Sequence, residues 1–165
     1  MKPEIVAYAK DRYEEEHRRF DHMEEKCGKL MSFTTILVTA VAGLITYFST
    51  SFFSPNGLLD WTILGVTVGS IFILVCSWGH ALLSLKLGSV NIAPTRDENF
   101  EYMAEKTDIE MHQHMVKCYL GPLRKLTPKI DEKAKYLKYA YEELTLAGGL
   151  LAFLLFLTFI RELTK

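Results

Sequence analysis

The chain has 165 residues, a formal net charge of −1, and 49% hydrophobic and 24% charged residues. These averages are close to those of an ordinary soluble domain, yet they hide blocks that such a domain cannot hold. Leu30 to Leu59 contains no Asp, Glu, Lys, Arg or His, and after Asp60 the run from Trp61 to Gly79 is again free of them. Two blocks of that length cannot both be the interior of so small a soluble domain.

Pro3 sits where a helix can begin, and the following residues to Lys29 are mostly good helix formers. Ala9, Tyr13, Phe20, Met23, Cys27 and Leu30 recur near a helical spacing, with Glu14, Glu15, Arg18 and Arg19 between them. Apart from Gly28, nothing stops this helix before the uncharged block. The pattern predicts one long helix that rises from the cytoplasm and crosses a bilayer to about Phe53. A bilayer core about 30 Å thick needs roughly 20 mostly apolar residues.

Ser54-Pro55-Asn56-Gly57 supplies a turn. A second span is predicted from about Leu58 to Leu87, with Trp61 at the outer interface. Asn91-Ile92-Ala93-Pro94 ends it, and Thr95 to Glu98 has the Thr-x-x-Glu pattern of a capping box. Phe100, Met103, Thr107, Met111, Met115 and Cys118 follow one face of the helix that this box opens. Gly121-Pro122 is expected to break that helix. Thr127-Pro128 reads as the N-cap and first residue of the next, which continues to about Leu163. Its last part, Leu144 to Ile160, is a third apolar stretch at the short end of the spanning range. A buried soluble helix is the alternative for this stretch; beside two spans, a third is the preferred reading.

The expected fold is therefore all-α: an integral membrane protein with three transmembrane helices per chain and cytoplasmic helical extensions. Residues 1–29 form a cytoplasmic N-terminal helix, 30–87 a transmembrane hairpin, 88–143 a cytoplasmic helical region, 144–160 the third span and 161–165 a tail. Of the 19 Lys and Arg, 7 precede Leu30 and 10 lie between Lys86 and Lys138, whereas Thr50 to Trp61 has none. The positive-inside rule then places the N-terminus and residues 86–143 in the cytoplasm. The highly charged start does not resemble a secretory signal. Cys27, Cys76 and Cys118 avoid the outer turn and fit a reducing compartment.

Within the first span, Ser32, Thr35, Thr39, Gly43, Thr46 and Thr50 form a stripe covering an arc of roughly 80°. Small and hydroxyl residues mark close helix packing. The same stripe can line a pore, where hydroxyls replace part of an ion's hydration. The second span carries Thr62, Gly65, Gly69, Cys76 and His80, and the third Gly148, Gly149 and Ala152. Gly65, Gly69, Gly148, Gly149 and Ala152 are candidates for close helix approach. His80 is the one ionisable residue inside a span, a candidate gate or an interfacial hydrogen-bonding group. Asp, Glu, Lys and Arg are absent from the span interiors, which argues against an ion-coupled transporter.

Arg124, Lys125, Lys129, Lys133, Lys135 and Lys138 make a basic stretch interrupted only by the acids Asp131 and Glu132. It suits anionic lipid heads. Alternatively, Arg124, Lys125, Lys129 and Lys133 join Arg18, Arg19 or Lys26 in holding an anionic ligand such as a nucleotide. Catalytic signals are poor. His112-x-His114 lacks the i, i+4 spacing of paired metal ligands. There is no phosphate-binding loop, dinucleotide fingerprint, nucleophile elbow or nucleic-acid motif, and no cofactor is implied. The pair Cys76 and His80 is a thin basis for an intramembrane hydrolase.

The layout resembles the small multi-span effectors of bacterial anti-phage systems, in particular the Pycsar transmembrane effector family and the related SLATT-type effectors. The resemblance lies in Asp21-His22-Met23-Glu24-Glu25-Lys26-Cys27-Gly28-Lys29-Leu30 leading into the first span, in the tight hairpin and cytoplasmic helix that follow, and in Leu126 to Leu144 approaching the last apolar helix. It covers most of the chain in layout and about 30 residues in pattern. The crowding of Gly121-Pro122 and Pro128 departs from it, and no ligand-binding residue matches. The resemblance implies a protein of the bacterial inner membrane that impairs that membrane on a signal. In that family the signal is a cyclic nucleotide made by a partner cyclase or nucleotidyltransferase. Three spans are too few to enclose an aqueous path, so a pore requires a homo-oligomer, with a tetramer as the expected closed assembly. The expected function is a ligand-gated channel or membrane-disrupting effector; the alternative is an anchor or scaffold recruiting a soluble cytoplasmic partner.

Overall fold

The computed structural model describes residues 3–47, 55, 57–86 and 107–163. Three helices carry these residues: α1 (Pro3–Tyr47), α2 (Leu58–Lys86) and α3 (Asp108–Leu163). No strand occurs among the described residues. All three helices are long and apolar enough to cross a membrane. The expected turn at Ser54 and Asn56, the capping box at Thr95 to Glu98, and Phe100 and Met103 lie outside the described residues.

One expectation fails. Gly121-Pro122 does not break α3, and Thr127 does not cap a new helix: α3 runs unbroken through Pro122 and Pro128. Each proline removes one intrahelical donor, leaving the Cys118 and Arg124 carbonyls without their usual N–H partners, at about 3 kcal/mol for an interior proline. Packing on the same stretch offsets this. Leu126 and Ile130 are fully buried against Phe20 of α1. The Thr127 hydroxyl donates back to the Leu123 carbonyl at 3.1 Å, as a mid-helix threonine does.

The chain divides into two compact units, Met1–Glu25 with Lys86–Ala134, and Lys26–Leu85 with Lys135–Lys165. In the first, α1 lies parallel to α3. Tyr13 meets Tyr119, Phe20 meets Leu126 and Ile130, and Glu24 meets Lys133. In the second, all three helices pack. Helix α2 runs antiparallel to both neighbours: Cys27 of α1 meets Ser84 and Val41 meets Leu74, while Ile63 meets Leu154 and Ser77 meets Ala140 of α3.

The packing face of α2 explains how these helices fit. Its buried residues are Ile63, Thr67, Ser70, Leu74, Ser77, Ala81 and Ser84. They alternate at four- and three-residue steps, the heptad spacing of a left-handed coiled coil. The same alternation runs through Cys27, Leu30, Thr34, Leu37 and Val41 on α1, and through Leu137, Ala140, Leu144, Ala147, Leu151 and Leu154 on α3. Small side chains hold the centre of the α2 seam, so the helices can approach closely. Enlarging one of them should be costly. Ala81→Leu should destabilise the fold by roughly 1–3 kcal/mol through overpacking. Phe72→Leu, on an exposed face, should stay within about 0.5 kcal/mol of the parent. Thermal unfolding followed by circular dichroism tests both.

Candidate functional site

The second unit buries several hydroxyl residues within its apolar seam and leaves many large apolar groups on its exterior. Thr34, Thr67, Ser70, Ser77 and Ser84 are buried, while Trp61, Val68, Phe72, Val75 and Trp78 on α2 and Phe153, Leu155, Phe156 and Phe159 on α3 are exposed. Every buried hydroxyl is satisfied. Thr34, Thr67 and Ser70 donate to carbonyls four residues back on their own helices, at 2.7–2.8 Å. Ser77 donates across to the Ala140 carbonyl at 2.7 Å, and the Cys27 thiol donates to Ser84 Oγ at 3.1 Å. The two cross-helix bonds make the seam specific, since a buried hydroxyl left unpaired costs about 1–3 kcal/mol.

Two polar clasps join α2 to α3 at opposite ends of this face. Arg161 Nε lies 2.9 Å from Asp60 Oδ1, and His80 Nδ1 lies 2.7 Å from Glu143 Oε2. The His80 ring also sits against Tyr136 and Tyr139, with centroids at 6.3 and 5.8 Å. Asp60 and His80 are 20 residues apart on α2, and Glu143 and Arg161 are 18 apart on α3, so about 27–30 Å of helix separates the clasps. Between them neither α2 nor α3 carries an Asp, Glu, Lys, Arg or His. Aromatic residues stand near both levels: Trp61 and Phe159 at one, Trp78, Tyr139 and Tyr141 at the other, all exposed.

The stripe anticipated on α1 lies outside the seam. Ser32, Thr35, Thr39, Gly43 and Thr46 are exposed, and Thr50 lies outside the described residues. Their hydroxyls are turned onto the helix itself, Ser32 to Gly28, Thr35 to Met31, Thr39 to Thr35 and Thr46 to Ala42, at 2.8–3.0 Å. The glycines singled out for close approach do not mediate it within this chain. A Cβ at Gly65, Gly69, Gly148 or Gly149 would meet nothing within 4 Å, and Ala152 is exposed. The contacts fall one face away, on Thr67, Ser70 and Ser77 of α2 and on Ala147 of α3.

The basic residues differ in how far they reach solvent. Arg18, Arg19, Lys26, Arg124 and Lys125 are exposed, and Lys129 is half-buried. Arg19 pairs with Glu16 at 2.8 Å, whereas Lys133 is fully buried. Its ammonium lies 2.7 Å from Glu24 Oε1 and 3.7 Å from the centroid of the Phe20 ring. Lys133 therefore faces α1 in the first unit and is withdrawn from any lipid or ligand at the surface. The pattern contains the signal for this: Lys133 falls three residues after Ile130 and four before Leu137, on the buried heptad face. Farther towards the start of α3, Cys118 is partly buried, and desolvation pushes its thiol above the usual range.

No family model, curated protein or solved structure matches the chain. The site must therefore be read from its own geometry.

Removing the carboxylate should expose the cost of the buried ammonium. Glu24→Leu should destabilise the protein by roughly 1.5–3 kcal/mol, the range for a hydrogen bond to a charged group. Lys133→Met should be far milder, because it removes the buried charge along with its partner's contact. Chemical denaturation midpoints of the two variants should differ in that order; equal losses would mean that the pair carries no special burden.

Proposed function

We propose that this chain is an integral protein of the bacterial inner membrane which acts as a signal-gated, homo-oligomeric effector. The large apolar exterior of the second unit, set against hydroxyls buried in its seam, carries this reading. Water would favour the opposite arrangement, with Phe72, Val75 and Phe156 inside and the serines outside. In lipid the outward apolar surface costs nothing, and buried hydroxyls that bond to backbone or to each other tie the helices together. The spacing of the clasps, about 27–30 Å, equals the hydrocarbon thickness of a bilayer. The aromatic residues at both levels suit its two interfaces.

The excess of Lys and Arg before Leu30 and between Lys86 and Lys138 favours a cytoplasmic N-terminus and cytoplasmic 86–143 segment. On this topology Asp60–Arg161 sits at the outer interface and His80–Glu143 at the inner one. The hydroxyl stripe of α1 points away from the chain's own seam, where a second copy can pack on it. Because the hydroxyls of Ser32, Thr35, Thr39 and Thr46 are already bonded to their own helix, this part of the stripe needs no water at rest, which favours a closed assembly. A signal that binds the open state better would shift the balance and expose the stripe to an aqueous path. Its identification as a nucleotide, and the role in anti-phage defence, rest on the resemblance of layout.

The second reading is a membrane scaffold. It is favoured by the charged exterior of the first unit, where Lys10–Glu14 and Arg12–Glu15 lie exposed along α1, a surface suited to a soluble partner.

Reconstitution in dye-loaded liposomes separates the two. An effector should release dye when the appropriate cyclic or oligomeric nucleotide is added. Thr39→Leu combined with Thr46→Leu should remain assembled and lose that release. Inserted, oligomeric protein that releases nothing under any nucleotide would contradict the channel and favour the scaffold.

A further inference from the structure

The second unit contains a cavity of about 250 Å³ lined by Val41, Leu44 and Ile45 of α1, Thr67 of α2, and Leu154, Leu155 and Thr158 of α3. Its only side-chain polar atoms are two hydroxyls, and both are occupied. Thr67 donates to the Ile63 carbonyl at 2.8 Å, and Thr158 lies within 2.8 Å of the Leu155 carbonyl. A buried water needs two to four polar partners, which this lining does not supply. A dry apolar space of this size is costly to leave empty.

The cavity's depth and mouth indicate what fills it. Thr158 is three residues from Arg161, and Thr67 is seven from Asp60, so the space lies about 5–10 Å along the helices from that clasp, on its apolar side. Leu44 and Leu155 are 41% and 60% exposed and open the cavity sideways onto the apolar exterior. No charged group lines it, so it offers nothing to a headgroup or to a soluble anion.

We infer that this cavity holds an acyl chain of a bilayer phospholipid, entering from the side with its headgroup at the level of Asp60 and Arg161. The inference rests on the membrane-spanning reading above. Chain occupancy would join α1, α2 and α3 on the face where their own side chains leave a gap.

The test uses the full chain purified in mild detergent, with retained phospholipid counted by native mass spectrometry. Resistance of the protein to alkaline extraction from membranes is measured first, so that failure of the membrane reading appears separately. Two variants fill the cavity from different helices, Thr67→Leu and Thr158→Phe. Either one that keeps the parent's helicity should lower the retained phospholipid about tenfold, the loss expected when roughly two methylenes give up their burial. For the unaltered chain, a phospholipid bearing a diazirine on its acyl chain should label Leu44, Ile45, Leu154 and Leu155 in preference to Phe72 on the open face, which serves if neither variant folds. Membrane-extracted protein whose labelling spreads evenly, or whose filled variants keep the parent's phospholipid, would overturn the inference. So would cross-links at these positions to a second copy of the chain.

Discussion

The heptad seam of α2 is the constraint on which the rest depends. Ser70, Ser77 and Ser84 stand seven residues apart, with Thr67 and Ala81 beside them, all buried. Side chains this small bring backbone against backbone, and at that separation the hydroxyls find their partners, Ser77 on the Ala140 carbonyl and Ser84 with the Cys27 thiol. Ile63 and Leu74 share this seam, and the remaining large apolar residues, such as Phe72 and Val75, stand on the outer faces. Such packing suits surroundings that do not draw those residues inward, as the proposed lipid would.

The two units solve the burial problem differently. In the second, polar side chains in the seam are neutral hydroxyls, and the charged side chains of α2 and α3 stand at or beyond the clasps. In the first, a full ammonium is buried: Lys133 lies under Phe20 and against Glu24, whose side chain keeps 44% of its exposure. A charged residue at a heptad core position fixes register at some cost in stability. Glu16, also buried on α1 and bonded to Arg19, adds a second polar core position in the same unit. A register set by charges suits a region in water, where alternative pairings of apolar faces compete.

Much of this was legible in the sequence, and its limits have physical causes. The extent of α2 was plain because charge is absent between Asp60 and Lys86 apart from His80; the described helix spans Leu58–Lys86, and the expected end at Leu87 lies outside the described residues. The seam was hidden because α2 is apolar on every side, so hydrophobic contrast gives no phase; only the seven-residue recurrence of serine marks it. His80 stood out as an ionisable residue within a span, yet its partner Glu143 is 63 residues away and nothing local points to it. Lys133 is indistinguishable by composition from Lys129 and Lys135, and only its step from Ile130 to Leu137 turns it inward. The prolines misled for the opposite reason: their local rule is sound, but packing of Leu126 and Ile130 against Phe20 outweighs two missing hydrogen bonds.

The most direct measurement of the proposed membrane embedding is spin-label accessibility along the exposed face of α2, at Trp61, Val68, Phe72, Val75 and Leu82, in lipid vesicles. Embedding between the two clasps predicts that collisions with oxygen peak near Phe72 and that collisions with a water-soluble nickel complex rise towards both ends. Uniformly high contact with the nickel complex along all five positions would contradict it.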